Sequence, residues 1–180
     1  MTLTVAERAR RIATFRFVEV RLMEIAAAWT PTTPEMEVKV LLGRHIWDFA
    51  QHADALGKRT FELRERPQHS RPATSGYQRL LDDVRSLTAT GERLAALYDA
   101  VLPGLARRYE EYLEQADPIL DAPSFVVVDR ILSDLRRQRG DAQELRRELG
   151  LAAAVPGDLG RREGVLELVS DAEASSEAGA

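Results

Sequence analysis

Two imidazoles and two carboxylates fall on helical faces that are otherwise apolar, and such a set can move protons. His45, Asp48 and His52 are three, four and seven residues apart, which puts their side chains in adjacent turns of one helix. Val38, Leu41, Leu42, Phe49, Leu56 and Leu63 make the stripe that holds both histidines, with Asp48 at its edge. On an earlier helix Glu19 sits among Ile12, Phe15, Leu22, Ala26 and Trp29, while Glu24 projects from the opposite side as a solvated acid. In a low-dielectric pocket these groups can titrate near neutrality. One imidazole can take a proton while the other gives one, with Asp48 and Glu19 fixing the tautomers. The candidate catalytic set is therefore His45, Asp48, His52 and Glu19. Three polar groups on one stripe are costly to bury, but hydrogen-bonded core histidines remain the alternative for His45 and His52. Glu19 reads equally as a boundary residue.

A third apolar line carries Leu80, Val84, Leu87, Leu94, Val101, Leu102 and Leu105, and the same line holds Tyr98, Tyr109 and Tyr112. These tyrosines, with Phe49, are the candidate substrate-binding surface. Their other reading is a core role in which each hydroxyl reaches a polar partner. The arginine-rich stretches Arg8–Arg11 and Arg136–Arg147 read as solvated faces with ion pairs inside the helix. The chain shows no Ser or Cys nucleophile motif and no Gly-rich phosphate loop, so hydrolase and kinase readings lack support.

The elements that position these residues are legible from their start and stop signals. Thr4-Val5-Ala6-Glu7 fits a capping box, and no Gly or Pro interrupts the helix before Thr30-Pro31 stops it. Thr33-Pro34-Glu35 predicts a second helix start, with a hydroxyl cap, a Pro where no donor is needed, and an acid at the positive end. That helix runs to about Arg66, tolerating Gly43 and Gly57 at roughly 1 kcal/mol each. Residues 66–75 hold two prolines and read as a loop. A third helical stretch spans about 76–115, with a break or kink expected near Gly91 and Pro103-Gly104. Asp121-Ala122-Pro123 starts a fourth helix ending near Arg139, and Asp141–Leu149 a short fifth. The run Phe125-Val126-Val127-Val128 would suit a strand, but no partner strand is visible. Four long apolar stripes joined by short connections predict an all-α, antiparallel four-helix bundle over residues 1–155. Residues 156–180, with five acids and no base from Glu163 onward, predict an acidic Gly/Ala/Ser-rich tail dispensable for folding.

Composition narrows the function classes. The chain has 180 residues, enough for one sizeable core. Its 25 Lys and Arg against 29 Asp and Glu give a net charge of −4, which argues against a nucleic-acid surface. It has no cysteine, so disulfides and thiolate chemistry are excluded. Neither a signal-like apolar stretch nor a membrane-length run is present. A cytoplasmic protein with a small-molecule substrate, no nucleic-acid or membrane partner and a homodimer left open is the expectation.

Two stretches resemble ferritin-like bundle proteins. One is His45-Ile46-Trp47-Asp48-Phe49-Ala50-Gln51-His52-Ala53-Asp54-Ala55-Leu56, continuing through Arg59 to Glu62-Leu63-Arg64. The other runs Tyr98-Asp99-Ala100-Val101-Leu102-Pro103, takes in Tyr109 and Tyr112, and continues from Ala116 through Asp121 to Asp134. With helix order, the resemblance covers roughly residues 10–140. It implies a ferritin-like bundle, and the wider superfamily implies non-haem iron and oxidoreductase activity. The di-iron scheme needs a Glu from each of two helices and a Glu-x-x-His pair from each of the other two. Here Phe49 stands three residues before His52, and the fourth helix offers Asp134-Leu135-Arg136-Arg137-Gln138. A di-iron centre is therefore not expected, and the cofactor expectation is none. If one metal binds, Glu19, Asp48 and His52 are its candidate ligands, with iron as the alternative cofactor. The leading expectation is a degenerate ferritin-like enzyme that isomerises, cyclises or eliminates a small molecule by acid–base chemistry. An iron-dependent oxidoreductase and a non-catalytic ligand-binding or assembly bundle are the alternatives.

Overall fold

The computed structural model describes residues 3–169, and among these every regular element is helical. Helix α1 spans Val5–Trp29, and its capping box forms as the sequence predicts. The Thr4 amide donates to Glu7 Oε2 at 2.7 Å, and the Glu7 amide to Thr4 Oγ1 at 3.2 Å. A 3-10 turn at Thr30–Thr32 leads into α2, Met36–Glu62. The Thr33 hydroxyl does not cap α2. It donates instead to the Trp29 carbonyl at 2.9 Å, closing the end of α1. Helix α2 also stops short of Arg66, and the chain from 63 to 74 returns across α1, where the Arg71 amide donates to the Ala13 carbonyl.

The third helical stretch is divided more than its glycine and proline suggest. It comprises α3, Ser75–Ser86, and α4, Thr90–Ala95, then a π-helical turn at Ala96–Val101 and α5, Leu102–Gln115. Pro103 has no N–H and its ring crowds the carbonyl four residues back, so the helix widens just before it. The Leu102 amide donates to the Leu97 carbonyl, five residues back. The Tyr98 carbonyl, released from the regular ladder, accepts Arg139 Nε at 3.2 Å. Single π turns of this kind frequently occur at functional sites.

The expected fourth and fifth helices are one continuous α6, Ala122–Leu149. Gly140 is exposed with open space around its Cβ position, so it costs about 1 kcal/mol of propensity. The buried Gln138 and Ala142 on either side hold the helix through it. Gly150, at φ +65°, ends α6 in the left-handed conformation that favours glycine. No strand forms at Phe125–Val128: burial at Asp121, Ser124, Val128, Ile131 and Leu132 follows the three- and four-residue spacing of one helical face.

The expectation of a free tail from 156 onward fails for its first part. Helix α7, Leu159–Val165, is packed against α3 and the π turn, and Leu159, Glu163 and Leu168 are buried. Gly104 makes this possible: a Cβ there would lie 1.7 Å from Glu163 Oε2. In the space it leaves, Glu163 pairs with Arg108 and accepts the Tyr77 hydroxyl. Residues 170–180 of the expected tail lie outside the described residues. The core joins α1, α2, the α4–α5 stretch and α6, with α1 against α2 its most extensive contact. No helix among the described residues is long and apolar enough to cross a membrane.

Candidate functional site

Helix periodicity brings His45 and His52 inward from α2, but their environments are opposite. His45 is fully buried, with Nδ1 2.6 Å from the Tyr98 hydroxyl. His45 Nε2 makes no hydrogen bond and stands 3.7 Å from Asp141 Oδ2 on α6. A carboxylate only accepts, so the tautomer that suits Asp141 carries its proton on Nε2, and Nδ1 then accepts from the Tyr98 hydroxyl. Burial, only partly offset by Asp48 and Asp141, pushes the His45 pKa down to about 4. The imidazole is therefore neutral at physiological pH. Tyr98 is held well above the usual phenol range by burial and by the nearby Asp141 and Asp48.

His52 is held between two acids. Its Nδ1 is 3.1 Å from Glu19 Oε2 on α1, and its Nε2 3.3 Å from Asp134 Oδ2 on α6. Burial opposes its charge, but Glu19 and Asp134 outweigh it and raise the pKa above the ordinary histidine value. Tyr109 completes the set by donating to Glu19 Oε1 at 2.8 Å. Phe49 packs edge-on against His52 with centroids 6.4 Å apart, and Phe15 lies 4.4 Å from Tyr109. No buried polar atom of this layer lacks a partner, and the layer reaches the surface through half-buried Asp134.

Asp48 does not join either histidine by hydrogen bonding. It lies at the α2–α6 seam, where Arg137 donates to its Oδ2 at 2.8 Å and Gln138 at 3.1 Å. Arg137 also reaches Asp134 at 3.0 Å and Asp141 at 3.6 Å. One guanidinium thus ties together three of the four acids around the two histidines, Glu19 being the exception. Tyr112 belongs to a separate buried cluster and donates to Asp121 Oδ2 at 2.5 Å. There Arg59 donates to Asp121 at 2.6 Å and to Ser124 at 2.7 Å. Glu19, His45, His52, Tyr98 and Tyr109 are thus placed in two adjoining polar layers, and Phe49 packs beside one of them. Asp134, Gln138 and Asp141 are members that sequence reasoning missed. Asp134 comes to His52 only through the pairing of α2 with α6.

The metal set Glu19, Asp48 and His52 is not assembled, since Asp48 is engaged by Arg137 and Gln138 instead. Glu19 and Asp134 lie on opposite nitrogens of His52, so one ion cannot meet all three. Among the described residues no three His, Asp or Glu side chains converge as a metal-ligating group. The iron implied by the ferritin-like resemblance has no fitting ligand set in these layers: Phe49 packs beside His52, and tyrosines face inward from the third stretch.

The His45 layer meets the surface at a groove of about 550 Å³ between the start of α2 and the end of α6. Asp141 lines it, and His45 stands directly behind Asp141. Met36, Val40, Leu41 and Leu145 give the groove an apolar wall. Its charges are Glu37, Asp141, Glu144 and Glu148 against Arg44. Comparison of the chain with family models, curated proteins and solved structures finds no match.

Proposed function

We propose that the protein is a metal-independent small-molecule enzyme of ferritin-like four-helix form that works by acid–base chemistry at the inner end of the α2–α6 groove. The observation that carries this reading is His45: a buried neutral imidazole whose free Nε2 faces a carboxylate on the groove wall. A ligand in the groove meets Asp141 first. The Asp141 carboxylate takes a proton from one position of the ligand and, as the acid so formed, returns it to another, while His45 behind it, held by Tyr98, orients the carboxyl group. Removal and return of a proton is what isomerisation, cyclisation or elimination requires, with no change in oxidation state. The acid-lined, partly apolar groove favours an organic amine as the substrate. Asp141 is the residue that touches the ligand, and Tyr98 and His45 position its carboxyl group.

The test is a screen of small organic amines read through the histidine ring resonances by nuclear magnetic resonance. At least one binder should move the His45 ring signals, and Asp141→Asn should weaken that binder by about tenfold, equivalent to about 1.4 kcal/mol. If all binders leave the His45 ring unmoved, the reading fails. The closed Glu19–His52–Asp134–Tyr109 layer favours a second, non-catalytic reading, since a satisfied buried network rigidifies a core by itself. Under that reading neither histidine responds to any ligand. Two iron equivalents per chain in protein purified without chelator would instead restore the oxidoreductase reading.

A further inference from the structure

The packing of residues 159–169 onto the protein creates a second concavity, remote from His45 in the fold and independent of the function proposed there. A cleft of about 890 Å³ lies between this strap and the helices α1 and α5, within the size range of small-molecule sites. Phe15, Leu166, Leu168 and Val169 form its apolar side. Phe15 and Leu168 are buried, and Leu166 and Val169 half-buried.

The opposite side carries cations, of which some are committed and some are not. Arg108 is fully used by Glu163 and by the carbonyls of Gly104, Glu163 and Leu166. Arg107 lies 4.0 Å from Glu111 and donates to the Gly164 carbonyl. Arg10 and Arg11 also line the cleft, and both are half-buried. Their guanidiniums make no hydrogen bond or ion pair with any described residue. Among the acids of the cleft, Glu7 lies within electrostatic reach of both but forms an ion pair with neither. The Glu7 carboxylate is held by the Thr4 amide, Glu111 faces Arg107, and Glu167 lies on the exposed strap. Half-buried cations beside an apolar wall match a ligand with a charged head and an apolar body, because each part then meets its complement.

We propose that this cleft binds a carboxylate carrying an apolar chain or ring, with Arg10 and Arg11 holding the carboxylate and Phe15 and the strap covering the apolar part. The strap thereby serves a purpose beyond packing, as one wall of a binding site. The competing occupant is the chain's own residues 170–180, which follow directly from Val169 and contain Asp171, Glu173 and Glu177.

Isothermal titration of the full chain with decanoate tests this, with decylammonium and inorganic phosphate as controls. Decanoate should bind once per chain, and both controls at least about tenfold more weakly. Arg10→Gln/Arg11→Gln should weaken decanoate by about tenfold or more while leaving the melting temperature unchanged. The affinity should also fall with added salt, as an incompletely buried ion pair requires. Equal binding of decylammonium, or decanoate binding indifferent to the double substitution, would overturn the proposal. So would no binding to the full chain, including the case in which binding appears only with D171N/E173Q/E177Q, which would assign the cleft to the chain's own acidic residues.

Discussion

His45 and His52 lie two helical turns apart on one face of α2 and yet titrate in opposite directions, because the charge opposite each differs. His52 has an acid within hydrogen-bond reach of each nitrogen, so its proton is bound more tightly folded than unfolded. Its contribution to stability is fully present below the unfolded value near 6.5 and is lost as pH rises through the raised folded value. His45 is buried with only a long approach to Asp141, and its folded value is about 4 against 6.5 unfolded. Its contribution is present above 6.5 and is lost as pH falls toward 4. Together they predict a melting temperature that peaks near pH 6.5. His45→Gln should flatten the acid limb and His52→Gln the alkaline limb, as thermal unfolding across pH 4–9 would show. A melting temperature unchanged through this range in the native protein would refute both assignments. Glu19, His45 and His52 were legible in the sequence because helical periodicity decides which face points inward. Asp134, Asp141 and the Tyr98–His45 bond were not, since periodicity is silent on which turn of one helix faces which turn of another. Asp48 shows the same limit from the other side: its position at the edge of the stripe was right, but its partner is an arginine on α6.

Two elements behave differently from their local signals. Helix α6 continues through Gly140 because the buried faces on both sides of it are packed. The strap is ordered because Glu163 finds Arg108 and Tyr77 over the one glycine that leaves it room. Composition after Pro156 carries no trace of that fit, which depends on Gly104 in a distant helix. Truncation after Val155 should therefore lower the melting temperature by many degrees, contrary to the expectation from composition. It removes three buried side chains and leaves Arg108 unpaired, a loss on the order of 3–5 kcal/mol. Gly104→Ala makes the finer test. It should unseat Glu163 and open the strap, seen as faster proteolytic cleavage between residues 150 and 169 while α1 and α2 remain protected. An unchanged cleavage rate would show that Glu163 does not hold the strap. Proline acts at a similar remove: the expected kink at Pro103 appears as a π turn one step earlier, and that turn is what presents Tyr98 to His45.

At the scale of the molecule, polar groups are concentrated in buried layers within a continuous apolar core. The Arg59–Asp121–Ser124–Tyr112 layer is closed and hydrogen-bonded, with Asp121 wholly buried. Arg59→Met should destabilise the protein by about 3–5 kcal/mol, because it takes the nearer cation from buried Asp121 and leaves it only Arg8, 3.5 Å away; chemical denaturation would measure this. The His52 layer is closed in the same way. Of these three layers among the described residues, that of His45 alone has an unpaired nitrogen and a neighbour on the surface groove, and the proposed acid–base function rests on that difference. The most direct measurement is a pH titration of the two ring systems by nitrogen-15 nuclear magnetic resonance in the full chain. The account predicts a His45 ring that stays neutral down to about pH 4, beside a His52 ring that remains charged above pH 6.5. A His45 ring that gains its proton near 6.5, as a solvent-exposed histidine does, would contradict it.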